Sequence, residues 1–99
     1  MVKGVTSSGF EFEIPDGVKN DFRFIRAYRD LKSADEDKQA DGALALVSAT
    51  FCDAEQEGRF YDHLAAEHEG RVPIDILYAE LSEIIRIASE SEDKALKNT

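Results

Sequence analysis

The N-terminal residues alternate between apolar and polar side chains, whereas the rest of the chain does not. Residues 10–14 have the order Phe-Glu-Phe-Glu-Ile, which is the two-residue period of a half-buried β-strand. The turn-forming residues 6–9 separate them from residues 1–5, and Pro15 ends the stretch. This pattern predicts a small β-hairpin over residues 2–14, whose apolar face must pack on the remainder of the chain because an isolated hairpin is only marginally stable.

Beyond Asp16, apolar residues recur at the three- and four-residue spacing of amphipathic helices. One side of the first predicted helix is apolar and holds Val18, Phe22, Phe24, Ile25, Tyr28 and Leu31. Its opposite side carries Lys19, Arg23, Arg26 and Arg29. We expect a basic outer face that either stays in solvent or meets an acidic surface, in this chain or in another copy.

Residues typical of helix starts and helix ends divide the chain from Ser33 onward into three further helices. Ser33 with Glu36 three residues later forms a capping box, which predicts a helix start, and Asp53 repeats that signal. Gly70 suits the left-handed residue that ends the third helix, and Pro73 suits the first position of the fourth.

The second helix is predicted to be the most buried, since residues 42–52 are nearly apolar on every side. Cys52 ends this run and is predicted to be a core residue, because a thiol among apolar residues behaves as a small hydrophobe. The third helix turns inward Phe60, Tyr61, Leu64 and Ala65. The fourth has an apolar stripe of Ile74, Leu77, Tyr78, Leu81, Ile84, Ile85 and Ala88.

The predicted fold class is mainly α: a compact bundle of about four short helices with a small N-terminal β-hairpin. The 99 residues suffice for one domain. This single domain, 1–99, comprises the hairpin over 2–14, the helical bundle over 16–89 and a flexible tail over 90–99, where the apolar period is lost.

Charge narrows the set of functions. The formal net charge is −9, and residues 33–70 hold most of the excess acid. Such a field repels phosphate backbones, so we expect no nucleic acid partner. No apolar stretch approaches the roughly 20 residues of a membrane span, and the N-terminus lacks the apolar core of a secretory signal. We therefore expect no membrane association and a cytoplasmic location.

Candidate chemistry is sparse. His63 and His68 are five residues apart on one helix, which turns them about 140° from each other and disfavours a shared metal. The acidic run of residues 35–37 lacks the glycine and distal glutamate of a calcium loop. No phosphate-binding loop, dinucleotide fingerprint or nucleophile elbow is present. The sequence predicts a protein that binds other proteins, with no enzymatic activity, cofactor or metal.

Four segments in order carry a resemblance to a known family: residues 5–14, residues 56–64, residues 70–73 and the pair Glu80-Leu81. Together they resemble the small tail assembly chaperones of long-tailed (siphovirus-type) phages and prophages of Gram-positive bacteria. The family usually ends its second helix in a leucine-rich segment followed by glycine, whereas this chain has Ala-Thr-Phe-Cys-Asp over residues 49–53.

The resemblance implies a chaperone that binds and solubilises the tape measure protein and promotes polymerisation of the tail tube around it. It implies a homo-oligomer in the cytoplasm of the host bacterium that is absent from the mature virion. It also implies a longer product, made by ribosomal frameshifting, that reaches the tail tube protein. Residues 96–98, Leu-Lys-Asn, either mark the slippery site or form an ordinary tail.

Two sets of contact residues follow from these hypotheses. For the chaperone, the candidate protein-binding residues are the apolar Phe24, Tyr28, Tyr78, Ile85, Phe10 and Phe12. The alternative is an acidic helical regulator or inhibitor that occupies a basic surface of a host protein. Its contact residues would be Asp35, Glu36, Asp37, Asp41, Glu55 and Glu57.

Overall fold

A two-stranded antiparallel hairpin and four helices form the part of the chain that the structure describes. The computed structural model describes the backbone of residues 1–97 and the side chains of residues 1–91. The elements are β1 (Val2–Val5), β2 (Glu11–Ile14), α1 (Phe22–Leu31), α2 (Glu36–Phe51), α3 (Ala54–Glu67) and α4 (Ile74–Lys97). The radius of gyration is 13.5 Å, as expected for a compact domain of this length. The predicted fold class is confirmed.

The hairpin pairs within one chain, with Val2 opposite Ile14 and Gly4 opposite Phe12. Its inward side chains Val2, Phe12 and Ile14 are buried. Gly4 is required at its position because a Cβ there would lie 2.6 Å from Cζ of Phe12. The hairpin therefore packs its apolar face on the helices, as the alternation predicts.

Carboxylates of α4 hold the turn of the hairpin. Ser7 donates from its backbone N–H and its hydroxyl to the two oxygens of Glu83, at 2.6 and 2.9 Å. The hydroxyl of Ser8 donates to Oε1 of Glu80 at 2.6 Å. Glu80 is buried, so this bond satisfies a carboxylate that has little access to water.

The N-termini of α1 and α2 differ from prediction. Val18 and Lys19 belong to a separate 3-10 helix, Val18–Asn20, and α1 starts at Phe22. Asp35, not Ser33, caps α2, because its side chain accepts from the N–H of Asp37 at 2.9 Å. Ser33 instead accepts from the N–H of Asp35 at 3.1 Å. The cap of α3 is Asp53, as predicted, and it accepts from the N–H of Glu55.

The sharp corner between α2 and α3 is made by Cys52, and the prediction that this residue lies in the core is wrong. Helix α2 ends at Phe51, and Cys52 adopts a left-handed conformation with φ of 55°. This left-handed conformation directs the thiol toward solvent, so Cys52 is exposed. Phe51 fills the interior at the end of the helix instead.

The centre of the core is aromatic. The ring of Phe10 lies 6.1 Å from that of Phe51 and 5.4 Å from that of Phe60, measured between centroids. Phe10 and Phe12 are both buried. These two predicted contact residues are thus only 6% and 4% exposed in this fold, because they pack the hairpin onto the helices.

Helix α4 follows the predicted break and continues beyond the predicted end. Gly70 has φ of 85°, and the carbonyl of Pro73 accepts the first helical hydrogen bond, from Leu77. The buried stripe consists of Leu77, Leu81, Ile84 and Ala88. The helix extends to Lys97, through most of the segment predicted as a tail. Residues 98 and 99, with the end of the possible slippery site, lie outside the described part.

Candidate protein-binding surface

Helix α1 is short and buries one narrow face. Asp21 starts it by accepting from the N–H of Arg23 at 2.8 Å. Phe24 and Ala27 are buried, and the ten-residue helix packs them on α2. At Gly42 of α2 the backbones approach so closely that a Cβ would lie 2.5 Å from the backbone nitrogen of Leu31. Glycine at that point lets α1 lie directly against α2.

Three apolar residues of α1 stay outside the core. Phe22 is 74% exposed, Ile25 52% and Tyr28 41%. The sequence places all three on the apolar side of α1, and they stay exposed because so short a helix contacts its neighbours along only part of that side. A surface that costs free energy to expose to water is a candidate for partner contact.

Part of this surface lines a groove between α1 and α4. The groove has a volume of about 490 Å³ and is lined by Lys19, Asn20, Phe24, Ile25, Tyr28, Ile85 and Ser89. We call it the α1/α4 groove. Three of the predicted contact residues, Phe24, Tyr28 and Ile85, are thus brought together by elements that are distant in sequence.

Two stacked aromatic rings form one wall of the groove, and a lysine ammonium lies over one of these rings. The rings of Phe24 and Tyr28 are stacked at 6.3 Å between centroids. The ammonium of Lys32 lies 4.4 Å from the centroid of the Tyr28 ring, within cation–π range. Phe24 is buried and forms the inner wall, whereas Tyr28 is open to solvent. Only an outer part of this wall is available to a partner.

Tyr78, the remaining predicted contact residue, does not line this groove. It is partly buried and packs against the core from α4. Tyr78 and Ile85 share a face of α4, since seven residues correspond to almost two turns. Ile74 lies about three turns before Ile85, outside the groove, and is 52% exposed.

Basic side chains flank the exposed part of α1. Arg23, Arg26 and Arg29 are all exposed. The guanidinium of Arg23 pairs with the carboxylate of Asp21 at 3.3 Å. The hydrogen bond from the Arg23 side chain holds the pKa of Asp21 below its ordinary value, and that contact raises the pKa of Arg23. None of these arginines lines the α1/α4 groove, so α1 carries a cationic face outside it on a chain whose net charge is negative.

The acidic residues of the alternative hypothesis lie mainly on the first turns of α2 and α3. Asp35, Glu36, Asp37, Asp41 and Glu55 are exposed. Glu57 is half-buried and accepts from the hydroxyl of Ser48 at 3.0 Å. Burial raises the pKa of Tyr61, and the neighbouring Glu57 raises it further. Five of the six predicted acidic contacts therefore remain available to a basic partner.

Sequence reasoning did not anticipate a cluster of Ser8, His63 and Glu80. Nε2 of His63 lies 2.9 Å from Oγ of Ser8. Because the single hydroxyl proton of Ser8 is donated to Glu80, the histidine must donate to the serine. A nucleophilic serine needs the opposite arrangement, with its proton directed at the histidine. The cluster fastens the hairpin turn, and its geometry does not activate the serine.

The described residues offer little for metal chemistry. Among them, no group of three histidine, cysteine, aspartate or glutamate side chains is placed to hold a metal ion. A broad depression of about 970 Å³ lies beside the hairpin and is lined by both acidic and basic side chains, with His63 among them. No helix in the described part is long and apolar enough to cross a membrane.

Comparisons with protein families, with characterised proteins and with solved structures give no match to this chain. The α1/α4 groove and the charged surfaces are the features of the described residues that bear on function.

Proposed function

We propose that the protein is a tail assembly chaperone of a long-tailed phage or prophage, and that it binds and solubilises the tape measure protein. The observation that carries this proposal is the α1/α4 groove with the exposed apolar residues beside it. An extended, helix-rich partner exposes apolar stripes, and covering them keeps such a partner in solution.

The lining of the groove suits this role, since four of its seven residues, Phe24, Ile25, Tyr28 and Ile85, are apolar or aromatic. An amphipathic helix inserts side chains spaced three and four residues apart into such a groove. Tyr28 supplies an aromatic anchor whose outer part is open, and aromatic residues dominate the binding energy of many interfaces.

The wider role rests on the resemblance of the sequence to the family. We propose a homo-oligomer in the cytoplasm of the host bacterium, which promotes polymerisation of the tail tube and is left out of the mature virion. A longer product of ribosomal frameshifting would connect the chaperone to the tail tube protein. The gene tests this part, because a slippery heptamer and an overlapping downstream frame must both be present.

Binding is tested by co-expression with the longest coil-rich protein encoded just downstream. The wild-type chain should keep that protein soluble and co-purify with it in many copies. Ile25→Glu, which places a charge on the groove, should reduce the co-purified amount at least tenfold. Ile74→Glu is a matched control, because Ile74 is the same residue type with the same 52% exposure at a position outside the groove.

Two results would contradict the proposal. One is a partner that stays insoluble with the wild-type chain, and the other is equal capture by the two glutamate variants. Circular dichroism and the urea midpoint of each variant establish that both are folded. Because both replaced side chains are largely exposed, we expect both variants to fold.

The second candidate function is an acidic regulator that occupies a basic surface of a host protein. It is favoured by the exposed Asp35, Glu36, Asp37, Asp41 and Glu55, none of which forms a salt bridge within residues 1–91. Salt distinguishes the two functions. Capture through these carboxylates should collapse as NaCl is raised, whereas capture through the α1/α4 groove should largely persist.

A further inference from the structure

Two exposed strips on neighbouring helices have the same residue spacing and opposite charge. The basic strip of α1 consists of Phe22, Arg26 and Arg29, and the acidic strip of α2 consists of Asp37, Asp41 and Leu44. Each is spaced i, i+4, i+7, so its three residues lie along one face of its helix. All six side chains are exposed, with Phe22 at 74% and Leu44 at 58%.

The charges of both strips lack partners of their own. Within residues 1–91, the salt bridges are Met1 with Asp16, Arg23 with Asp21, His63 with Glu67 and Arg86 with Glu90. No side chain of either strip takes part in them. Each strip also carries a large apolar residue in water beside its charges. A complementary helix face would pair the charges of such a strip and cover its apolar residue.

The strips complement each other in one direction. With a rise of about 1.5 Å per residue, Arg26 and Arg29 lie about 6 and 10.5 Å along α1 from Phe22. Measured back from Leu44, Asp41 and Asp37 lie about 4.5 and 10.5 Å along α2. Antiparallel packing thus places Phe22 on Leu44 and each arginine on an aspartate. Parallel packing would set Phe22 against Asp37 and Arg29 against Leu44.

The strips do not meet within one chain. Helices α1 and α2 pack through Ala27, Leu31 and Gly42, and the strips lie away from that contact. We propose that the basic strip of one copy docks antiparallel on the acidic strip of a second copy. This contact specifies the interface of the proposed homo-oligomer and rests on that part of the proposed function.

The contact uses a different surface from the α1/α4 groove. None of the six strip residues lines the groove. Substitutions in the strips should therefore affect self-association alone, and substitutions in the groove should affect partner binding alone. The failure of one proposal is thus distinguishable from the failure of the other.

Sedimentation equilibrium of the wild-type chain from about 10 µM to about 1 mM tests self-association. We expect the weight-average mass to rise above the 11.0 kDa of the monomer as concentration rises. The rise should be larger in about 50 mM than in about 500 mM NaCl, because the arginine–aspartate pairs are screened by salt. A wild-type mass that stays at the monomer value throughout overturns the proposal.

Charge reversal tests the interface itself. Arg26→Glu with Arg29→Glu makes both strips acidic, and Asp37→Arg with Asp41→Arg makes both basic. Each double variant alone should sediment as a monomer, with its dissociation constant raised at least tenfold. An equimolar mixture should regain the wild-type mass, because every acidic strip then finds a basic one on the other variant.

The equimolar mixture distinguishes docking of the two strips from a general effect of the changed charge. A mixture that stays monomeric while the wild type associates overturns the proposal, as does a double variant that associates like the wild type. If either reversal prevents folding, as judged by circular dichroism, the neutral pair Arg26→Gln/Arg29→Gln and Asp37→Asn/Asp41→Asn replaces it. Both neutral variants should then weaken association, and wild-type association of either would overturn the interface.

Co-expression with the downstream coil-rich protein keeps the two proposals apart. The Arg26→Glu/Arg29→Glu variant retains the groove and should still bind that protein, with fewer copies per partner. Ile25→Glu should lose the partner and still self-associate.

Discussion

The side-chain amide of Gln56 makes two hydrogen bonds to the backbone of Glu13. Nε2 donates to the carbonyl of Glu13 and Oε1 accepts from its N–H, both at 2.7 Å. Gln56 is buried, and it occupies the place that a neighbouring strand would take along the edge of β2. A hairpin that the sequence leaves open to pairing with another chain is thus closed at Glu13 by its own helix α3.

Replacing Gln56 should therefore destabilise the protein. Gln56→Ala leaves a backbone donor and acceptor of Glu13 without partners, and we expect the free energy of unfolding to fall by about 1 to 3 kcal/mol. Gln56→Glu keeps an acceptor for the N–H and loses the donor, so it should also destabilise. Urea unfolding measures both effects. Amide hydrogen exchange at Glu13 should accelerate in each variant, and an unchanged rate would contradict the role given to Gln56.

The glycines of α2 and α3 should respond to alanine in opposite directions. At Gly42 a Cβ would lie within 3 Å of the backbone of Ala27, Asp30 and Leu31, so Gly42→Ala should destabilise by roughly 1 to 3 kcal/mol. At Gly58 nothing lies within 4 Å, and Gly58→Ala should stabilise by about 0.5 to 1 kcal/mol through its helix propensity. Thermal unfolding of the two variants checks the signs. Equal shifts would contradict the close packing of α1 on α2.

Cys52 should be reactive in the folded protein. Its thiol is exposed, so a disulfide reagent should label it at the rate found after unfolding in urea, to within about tenfold. Because its φ of 55° is a conformation that glycine adopts without strain, Cys52→Gly should raise the free energy of unfolding by up to about 1 kcal/mol.

Cys52→Ala is the matched control for that substitution. It loses the same bond from Sγ to the carbonyl of Ala49 and keeps the left-handed strain, so it should not stabilise. Slow labelling of native Cys52, or equal stability of the glycine and alanine variants, would contradict the structure of this corner.

The ionisation of Asp21, at the N-terminus of α1, should make the stability of the folded protein depend on pH. Its pKa in the folded protein lies below the unfolded value of about 3.9, because the side chain and N–H of Arg23 donate to its carboxylate. The ionised group therefore stabilises the fold above that pH, and the stabilisation is lost as pH falls through the folded pKa.

Thermal unfolding between about pH 5 and about pH 2 measures this effect. The melting temperature of Asp21→Asn, which keeps the capping oxygen and lacks the charge, should fall less than that of the wild type over this interval. Arg23→Gln should reduce the slope in the same direction. A wild-type slope in Asp21→Asn would show that other carboxylates account for the acid dependence.

Local chemistry made much of the fold predictable from the sequence. The alternation of residues 10–14 and the caps at Asp53 and Gly70 act within a few residues, so the hairpin, the start of α3 and the turn before α4 are found where they were predicted. Asp35 replaces Ser33 as the cap of α2 because both side chains accept a backbone N–H near the same turn and the helix begins only after Asp35.

The candidate site was less predictable because it depends on contacts between distant elements. Phe22 and Phe24 are equivalent by residue type, yet Phe22 is exposed and Phe24 is buried, because the close approach of α1 to α2 fixes the rotation of α1. Phe10 and Phe12 both suit a partner-binding hairpin by sequence, but Phe10 packs on Phe51 and Phe60 and Phe12 is buried as well. Phe24, Tyr28 and Ile85 line one groove between two helices that are distant in sequence, and the sequence did not predict this groove.

The attachment of the hairpin turn to α4 has a consequence for the order of folding. The hydrogen bonds from Ser7 and Ser8 reach residues 76 and 72 positions later in the chain, so they raise the contact order of an otherwise local, helical protein. During synthesis the hairpin leaves the ribosome long before Glu80 and Glu83. The strand edge can already be held by Gln56 once α3 has been made, whereas the turn gains its hydrogen bonds to Glu80 and Glu83 only after α4 has been made.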